Sequence, residues 1–243
     1  MEKPGNIVTI LLAGGSGERT GGNFKQFMKI EGKPLLFHSL ESFLSCRFIK
    51  QIITVVPESK LEYAKRLIKN KISDKRIEII PGGKTRRESA YFALKHINEK
   101  NKKFNYVIFH DASRPLVLPG TIERVLKEAV RWGAAVVGSK ALDLIFEVEG
   151  EFVSRAHNKN IIYHGFTPQC FQKDLIWKVH LEYDKKINLN GELENGHADN
   201  IELLRNYNKE VKVKLVKLPH PDFKLTFKPD IEVIKVLLKR KII

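Results

Sequence analysis

The sequence predicts an α/β fold: a Rossmann-like, mostly parallel central sheet with helices on both faces and a protruding β-arm. Three observations lead to this prediction. A near-continuous apolar run, Ile7–Leu12, is typical of a strand buried on both faces, as strands of parallel sheets are. Two further apolar runs, at 51–56 and 105–109, alternate with amphipathic helical patterns. A glycine-rich turn follows the first run directly, at an edge of the sheet where such folds bind ligands.

The length and composition of the chain fit one large domain. Its 243 residues, of which 42% are hydrophobic, can bury a sizeable core, and we expect 1–243 to form a single domain with an arm at about 138–164. The formal charge of +15 favours anionic partners, although a solvated basic surface accounts for most lysines equally well. Because no zinc-finger, helix-turn-helix or RNP-like pattern occurs, we expect no nucleic-acid partner.

The cysteines and the apolar runs bear on location. Cys46 and Cys170 lie far apart with no metal-ligand pattern nearby, which favours a reducing cytosol over a disulfide scaffold. We recognise no signal peptide, and no apolar run reaches the roughly 20 residues of a membrane span. We therefore expect a cytoplasmic protein with no membrane partner.

The turn after the first strand has the composition of a phosphate-binding loop. Three glycines leave backbone N–H groups open to phosphate oxygens: Gly14, Gly15 and Gly17. Arg19 and Lys25 follow, and these two cations could flank one polyphosphate. No Gly-Lys-Ser/Thr completes a Walker loop, and Thr20 stands where a dinucleotide fingerprint needs its third glycine. An ordinary glycine-rich connection is the alternative.

A second glycine pair precedes a helix predicted to run through His96. Gly82 and Gly83 bring the chain to the helix N-terminus, which can offer backbone donors and a positive dipole end. Ser89 then lies either near a bound nucleotide or simply within the first helical turn.

A carboxylate follows the strand at 105–109. Ligands of open α/β sheets bind beyond the carboxyl ends of the strands, so Asp111 could hold a Mg–triphosphate or a substrate hydroxyl. Arg114 could reach a second phosphate. For Asp111, the alternative is a helix cap or a salt bridge to Arg114.

Residues 138–164 predict a hairpin. Apolar residues at 144–148 and 152–154 alternate around Gly150. An isolated hairpin is marginal in water, and so much apolar surface seldom stays bare. We therefore expect a two-fold homodimer in which each arm packs on the other subunit; an arm folded back on its own domain is the alternative.

Eight stretches along the chain form a set of motifs. They are Leu12-Ala13-Gly14-Gly15-x-Gly17-x-Arg19, Lys25-Gln26-Phe27, Gly32-x-Pro34-Leu35, Gly82-Gly83-x-x-Arg86-x-x-Ser89, His110-Asp111-Ala112-x-Arg114-Pro115, Thr167-Pro168-Gln169-x-Phe171, Ala198-Asp199-Asn200 and Lys224-x-Thr226-x-x-x-Asp230. Together these motifs resemble the sugar nucleotidyltransferases, and most of all the cytidylyltransferase branch that includes 2-C-methyl-D-erythritol 4-phosphate and ribitol-5-phosphate cytidylyltransferases.

The resemblance implies an enzyme that joins CTP to a small polyol phosphate and releases pyrophosphate, with Mg²⁺ or another divalent cation as cofactor. It favours 2-C-methyl-D-erythritol 4-phosphate, an isoprenoid precursor, over ribitol 5-phosphate. The implied catalytic residues are Arg19, Lys25 and Lys224. The implied nucleotide-binding residues are Leu12, Ala13, Gly14, Gly15, Gly17, Gly82, Gly83, Thr85, Ser89, Asp111 and Ala112. The implied acceptor-binding residues are Asp111, Arg114, Lys159, Thr167 and Lys224. Asp111 would also hold the metal, directly or through water.

The expected chemistry needs cations more than a general base. The attacking phosphate oxygen is already ionised at pH 7, so fixed positive charges around the reacting phosphates supply most of the catalysis. By the resemblance, the arm would exchange with a second subunit and bring Lys159 to the neighbour's acceptor phosphate.

Several positions depart from the family's pattern. Phe24 replaces the proline expected before Lys25, and the loop between Arg19 and Lys25 is one residue shorter. The acceptor half carries the remaining departures, which are Leu144, Phe146, Lys159 and Ala198. Ribitol 5-phosphate therefore stays open as the acceptor, and a non-catalytic nucleotide-binding regulator on the same fold is a second alternative.

Overall fold

The computed structural model describes residues 5–15, 24–100, 103–190 and 199–240. The strands are β1 (Ile7–Leu12), β2 (Lys29–Ile30), β3 (Lys33–Pro34), β4 (Ile49–Val56), β5 (Ile77–Pro81), β6 (Tyr106–Asp111), β7 (Ala134–Lys140), β8 (Ile145–Glu149), β9 (Phe152–His157), β10 (Tyr163–Gln172) and β11 (Val213–Lys217). The helices are α1 (Leu35–Ser45), α2 (Leu61–Lys69), α3 (Arg86–Glu99), α4 (Pro119–Trp132), α5 (Lys173–Asn190), α6 (Asn200–Tyr207) and α7 (Asp230–Arg240).

A seven-stranded sheet organises these elements in the order β11-β7-β10-β6-β1-β4-β5. β1 pairs in parallel with β4 and β6, β4 with β5, and β11 with β7. Only β10, among the strands of this sheet, runs antiparallel to its neighbours, β6 and β7. The predicted mostly parallel sheet is confirmed, and the strand of alternating lysines near the C-terminus is an edge strand, as its pattern indicates.

Helices cover both faces of the sheet at β1, which is apolar at every position but one. Ile7 and Leu11 pack in the cluster formed with α1, α2 and α4, whereas Val8, Ile10 and Leu12 pack in the cluster formed with α3, α5 and α6. Burial on both faces explains the continuous apolar run, since a strand with one solvated face would alternate. Because β1 pairs in parallel with β4 and β6, the carboxyl ends of these three strands lie side by side.

Two segments differ from the sequence-based expectation. β6 continues through Asp111, because Asp111 is still paired with Leu12 in the ladder. The polar, asparagine-rich composition of 185–196 favours a loop, but α5 extends through Asn190. Its earlier turns pack apolar side chains on the sheet, and this packing outweighs the low helix propensity of the asparagines.

The arm is a separate two-stranded antiparallel sheet of β8 and β9. Most of its residues are exposed, and Phe152 near its tip is 80% exposed. The β7–β10 pair leads into it, since Lys140 still pairs with Tyr163. The predicted protruding hairpin is confirmed. Within the part of the chain that the structure describes, no helix is long and apolar enough to cross a membrane.

Candidate active site

The loop after β1 is held in place by backbone and side-chain hydrogen bonds. The Ala13 amide donates to the carbonyl oxygen of Val55 on the neighbouring strand (2.8 Å). The buried amide of Gln26 donates to the carbonyl oxygens of Ala13 (2.7 Å) and Gly15 (3.1 Å). Gln26 was not foreseen as a functional residue, although it directly follows Lys25 in the matched motif. It fixes the loop backbone before any ligand arrives.

Ser89 lies directly under both glycine turns. Its buried hydroxyl accepts a hydrogen bond from the Gly83 amide (3.1 Å). A Cβ atom at Gly82 would lie 2.7 Å from Ser89 Oγ, and one at Gly14 would lie 3.2 Å from the same oxygen. The glycines are therefore required for close approach of the two turns, and Ser89 sets the spacing between them.

Thr85 is the N-cap residue of α3. Its side-chain oxygen accepts from the Glu88 amide (3.1 Å), and Glu88 in turn accepts from the Lys84 amide (2.7 Å). This capping box ties the second glycine turn to the helix. Thr85 lines the cleft, but its hydroxyl oxygen already serves the helix cap.

Asp111 is surrounded by cations. Its Oδ1 lies 3.1 Å from Arg86 Nε, and its Oδ2 lies 2.9 Å from Lys224 Nζ and 3.9 Å from Arg114 Nε. Burial by itself raises the pKa of Asp111, but the charges of Arg86 and Lys224 outweigh it and hold this pKa well below the usual range of an aspartate. Asp111 is consequently ionised at neutral pH. The helix-cap alternative is wrong, because Asp111 is a strand residue with a salt-bridged side chain.

Arg86 is a site residue that the sequence did not reveal. It lies inside the matched glycine motif, yet its carboxylate partner follows 25 residues later. Arg86 Nη1 also lies 3.3 Å from Asp199, the N-cap residue of α6. Gln169 donates to both carboxylate oxygens of Asp199 (2.9 and 3.0 Å). Arg86 thus links β6, β10 and α6 at the floor of the cleft.

The C-terminal segment brings Lys224 to the same place. The Leu225 amide donates to the carbonyl oxygen of Ser113 (2.8 Å), which docks the segment beside the end of β6. The Leu225 carbonyl oxygen accepts from Lys25 Nζ (2.8 Å). The Asp230 carboxylate accepts from the backbone amides of Thr226 and Phe227 (2.7 Å each), which closes the turn that follows Leu225. Two of the three expected catalytic cations, Lys25 and Lys224, therefore line the same cleft.

The expected acceptor residues are distributed over two places. Arg114 Nη1 is paired with Asp222 (3.1 Å), and its guanidinium lies 5.0 Å from the centre of the Phe166 ring. Thr167 is buried, and its hydroxyl oxygen accepts from the Asp111 amide (3.1 Å). Lys159 lies on the exposed arm and does not line the cleft of its own chain. Arg19, Gly17 and Ala198 fall outside the described residues.

These elements enclose a cleft of about 1210 Å³. The expected site residues that line it are Leu12, Ala13, Gly14, Gly15, Lys25, Gly82, Gly83, Thr85, Ser89, Asp111, Ala112 and Lys224. Among the described residues, no group of three or more His, Cys, Asp or Glu side chains could form a metal site. A single carboxylate suits Mg²⁺ that is held mainly by substrate phosphates and water, so Asp111 fits such an ion. The cleft brings together two glycine turns, the ionised carboxylate of Asp111 and the ammonium groups of Lys25 and Lys224, and such an arrangement suits the binding and reaction of phosphates.

Comparison with known proteins agrees with a site for phosphate chemistry. The family model for 2-C-methyl-D-erythritol 4-phosphate cytidylyltransferase matches residues 7–240. A relative of that name from Thermotoga neapolitana is 34% identical over 233 residues, covering 96% of each chain. One from Clostridium perfringens is 37% identical over 179 residues, covering 72% of this chain and 77% of the relative.

Solved structures have the same fold. The structure of 4-diphosphocytidyl-2C-methyl-D-erythritol synthase from Anaerococcus prevotii superposes with a TM-score of 0.82 at 24% identity, covering 98% of this chain and 97% of that one. The structure of 2-C-methyl-D-erythritol 4-phosphate cytidylyltransferase from Thermus thermophilus gives a TM-score of 0.70 at 24% identity, covering 95% and 98%. At these identities the likeness shows the fold, and it agrees with the predicted Rossmann-like α/β class.

Proposed function

The chain belongs to the 2-C-methyl-D-erythritol 4-phosphate cytidylyltransferase family, and from this premise we propose that it joins CTP to that polyol phosphate. A phosphate oxygen of the acceptor attacks the α-phosphorus of CTP. The bond from the α-phosphorus to the bridging oxygen of the β-phosphate breaks, and pyrophosphate leaves with the electron pair. The product is a cytidine diphosphate polyol, an isoprenoid precursor, and no proton need be removed from the attacking oxygen.

The convergence of Lys25, Lys224 and Asp111 in one cleft carries the proposal. Negative charge accumulates on the α-phosphate and on the leaving pyrophosphate in the transition state. Lys25 and Lys224 offer ammonium groups that hydrogen bonds already orient, so little reorganisation is needed when that charge develops. Arg19 stays a predicted third cation.

The two glycine turns support binding of the nucleotide. Ser89 and Gln26 fix the backbone of these turns. The amides of Ala13, Gly82 and Gly83 already donate within the chain, so the N–H groups of Gly14 and Gly15 are the ones that we expect to donate to phosphate or base. Asp111 would hold a Mg²⁺ ion, directly or through water, and that ion would supply positive charge beside the phosphates of CTP. For Asp111 to take this role, its oxygens must be shared with Arg86 and Lys224.

On the acceptor side, we propose that Asp111, Arg114, Thr167 and Lys224 act together with Lys159 of a second subunit. The arm supports a homodimer, because many of its apolar side chains are exposed on this chain. They are Leu142, Leu144, Phe146, Val148, Phe152, Val153 and Ile161. A partner that covers them would bury apolar surface and carry Lys159 to the neighbouring site.

We also propose a cytoplasmic location. Cys46 and Cys170 are free thiols in buried positions, and burial raises the pKa of both. Unreactive reduced thiols are typical of proteins in a reducing compartment.

Pyrophosphate release tests the proposed reaction. The wild type is incubated with CTP and Mg²⁺ together with 2-C-methyl-D-erythritol 4-phosphate, with ribitol 5-phosphate or without acceptor. Release with the first acceptor supports the proposal, and a preference for ribitol 5-phosphate would replace the acceptor. CTP binding without release from either would favour the regulator. Lys224→Gln should abolish release, whereas Lys228→Gln, an exposed lysine of the same segment, should not.

A further inference from the structure

The guanidinium of Arg114 is held between two carboxylates. Its Nη1 lies 3.1 Å from Asp222, and its Nε lies 3.9 Å from Asp111. The side chains of Arg114 and Asp222 are each only 12% exposed. Asp111 lines the cleft, whereas Asp222 lines a smaller cavity of about 260 Å³. Arg114 therefore lies between a carboxylate that lines the cleft and a carboxylate that lines the smaller cavity.

The smaller cavity adjoins the expected acceptor residues. Thr167 lines it, and the Thr167 hydroxyl also accepts from the Asp111 amide. Most of its other walls are apolar, and include Leu116, Val117 and Pro168. Under the proposed function, Lys224 and Lys159 of a second subunit take the acceptor phosphate, which leaves Asp111 and Arg114 for its hydroxyl end.

The charge of Arg114 is already neutralised inside the chain. Asp222 takes one edge of the guanidinium, so a second anion arriving there would meet the Asp222 carboxylate at close range. Like charges placed together in a partly buried site are strongly unfavourable. An uncharged hydroxyl has no such penalty. It can accept from Arg114 Nε, a buried donor without a hydrogen-bond partner among the described residues, and donate to a carboxylate.

We propose that Asp222 determines specificity for the acceptor: it makes the Arg114 end of the site accept hydroxyl groups and reject a second anionic group. This inference rests on the proposed function. Asp222 acts through Arg114 and is therefore a positioning residue. Burial raises the pKa of Asp222 to about 6 despite the opposing charge of Arg114. At pH 8 its carboxyl group is ionised, so the selection operates under ordinary assay conditions.

A matched pair of inhibitors tests this role at pH 8. Erythritol 4-phosphate and erythronate 4-phosphate differ by a terminal hydroxymethyl group against a carboxylate. Their inhibition constants are measured against 2-C-methyl-D-erythritol 4-phosphate in the wild type, Asp222→Asn, Asp222→Glu and the surface control Asp174→Asn. We expect the wild type to bind erythronate 4-phosphate at least about tenfold more weakly, and Asp222→Asn to remove most of this difference. Asp222→Glu and Asp174→Asn should retain it.

Two results would overturn the inference. One is a wild type that binds both inhibitors equally, which needs no variant at all. The other is a folded Asp222→Asn whose ratio of inhibition constants equals that of the wild type. Calorimetric dissociation constants for the same two ligands give the ratio without turnover. If the wild type releases pyrophosphate but Asp222→Asn keeps the wild-type ratio of the two constants, only the role of Asp222 is contradicted. If the wild type releases no pyrophosphate, the proposed function is contradicted.

Discussion

Lys25 donates a hydrogen bond of 2.8 Å to the carbonyl oxygen of Leu225, which lies 200 residues further along the chain. This bond joins the loop after β1 to the segment that carries Lys224. Lys224 Nζ in turn donates to Asp111 (2.9 Å), so both lysines are held at the cleft before substrate binds. The shortened loop before Lys25 therefore does not keep this lysine away from the cleft.

Replacing Lys25 should separate catalysis from folding. Lys25→Ala removes one transition-state cation, so kcat should fall roughly 10²–10³-fold. Because the Lys25 bond to the Leu225 carbonyl oxygen is half-buried, the free energy of unfolding should fall by about 1 kcal/mol in this variant. Pyrophosphate release and urea unfolding measure the two effects. Lys29→Ala, an exposed lysine nearby, is the control; a Lys25→Ala enzyme with near-normal kcat would remove Lys25 from the site.

Arg86 should be needed to organise Asp111. Arg86→Gln removes a positive charge from beside both Asp111 and Asp199. We therefore expect kcat/KM to fall about 10–100-fold and the free energy of unfolding to fall by about 1–3 kcal/mol. Arg86→Lys keeps the charge but not both contacts, and should recover part of the activity. Steady-state kinetics with Arg66→Gln as an exposed control checks this. Equal kinetics for Arg86→Gln and the wild type would contradict the role.

Gly82 should be intolerant of a methyl group. In Gly82→Ala the new Cβ would lie 2.7 Å from Ser89 Oγ and 3.0 Å from a Val55 methyl, so the turn must shift. We expect the dissociation constant of CTP to rise about tenfold or more, because Gly82 and Gly83 line the cleft and a shift of their turn changes the wall that the nucleotide contacts. Gly120→Ala is a matched control, since nothing lies within 4 Å of its added Cβ. Calorimetry that finds equal CTP affinity in both variants would exclude this packing argument.

The buried carboxyl of Asp222 should leave a pH signature in stability. Its pKa is raised to about 6 in the folded protein, above its value in the unfolded chain, so folding favours the protonated form. This contribution to stability should therefore grow as the pH falls through 6 towards 4 and fade as the pH rises above 6. Relative to Asp222→Asn, the wild type should gain about 1 kcal/mol between pH 7 and pH 5. Urea unfolding of both proteins at the two pH values gives the difference; parallel pH profiles would contradict it.

The exchanged arm predicts complementation between two inactive variants. Lys25→Ala and Lys159→Ala should each lose activity, because each removes a cation from every site. If Lys159 serves the neighbouring subunit, one site of a mixed dimer carries neither change. Mixing equal amounts should then restore about a quarter of wild-type activity. Sedimentation gives the oligomeric state, and a fully active monomer would refute both the dimer and the shared site.

The sequence by itself determined the sheet, the glycine turns and the arm, because these depend on local properties. Continuous apolar residues in β1 indicate burial on both faces. The glycines at 14 and 82 indicate positions without room for a side chain. Alternation around Gly150 reports a hairpin. Such signals are contained within a few neighbouring residues, so they can be recognised before the fold is known.

Only the tertiary structure decided how the charges are paired. Asp111 meets Arg86 across 25 residues and Lys224 across 113, and Arg114 meets Asp222 across 108. The extension of α5 through Asn190 likewise depends on packing rather than on composition. A charged side chain has the same local pattern whether it is solvated or paired. Its partner is set by which strand ends and loops the sheet order brings together, and no local pattern contains that information.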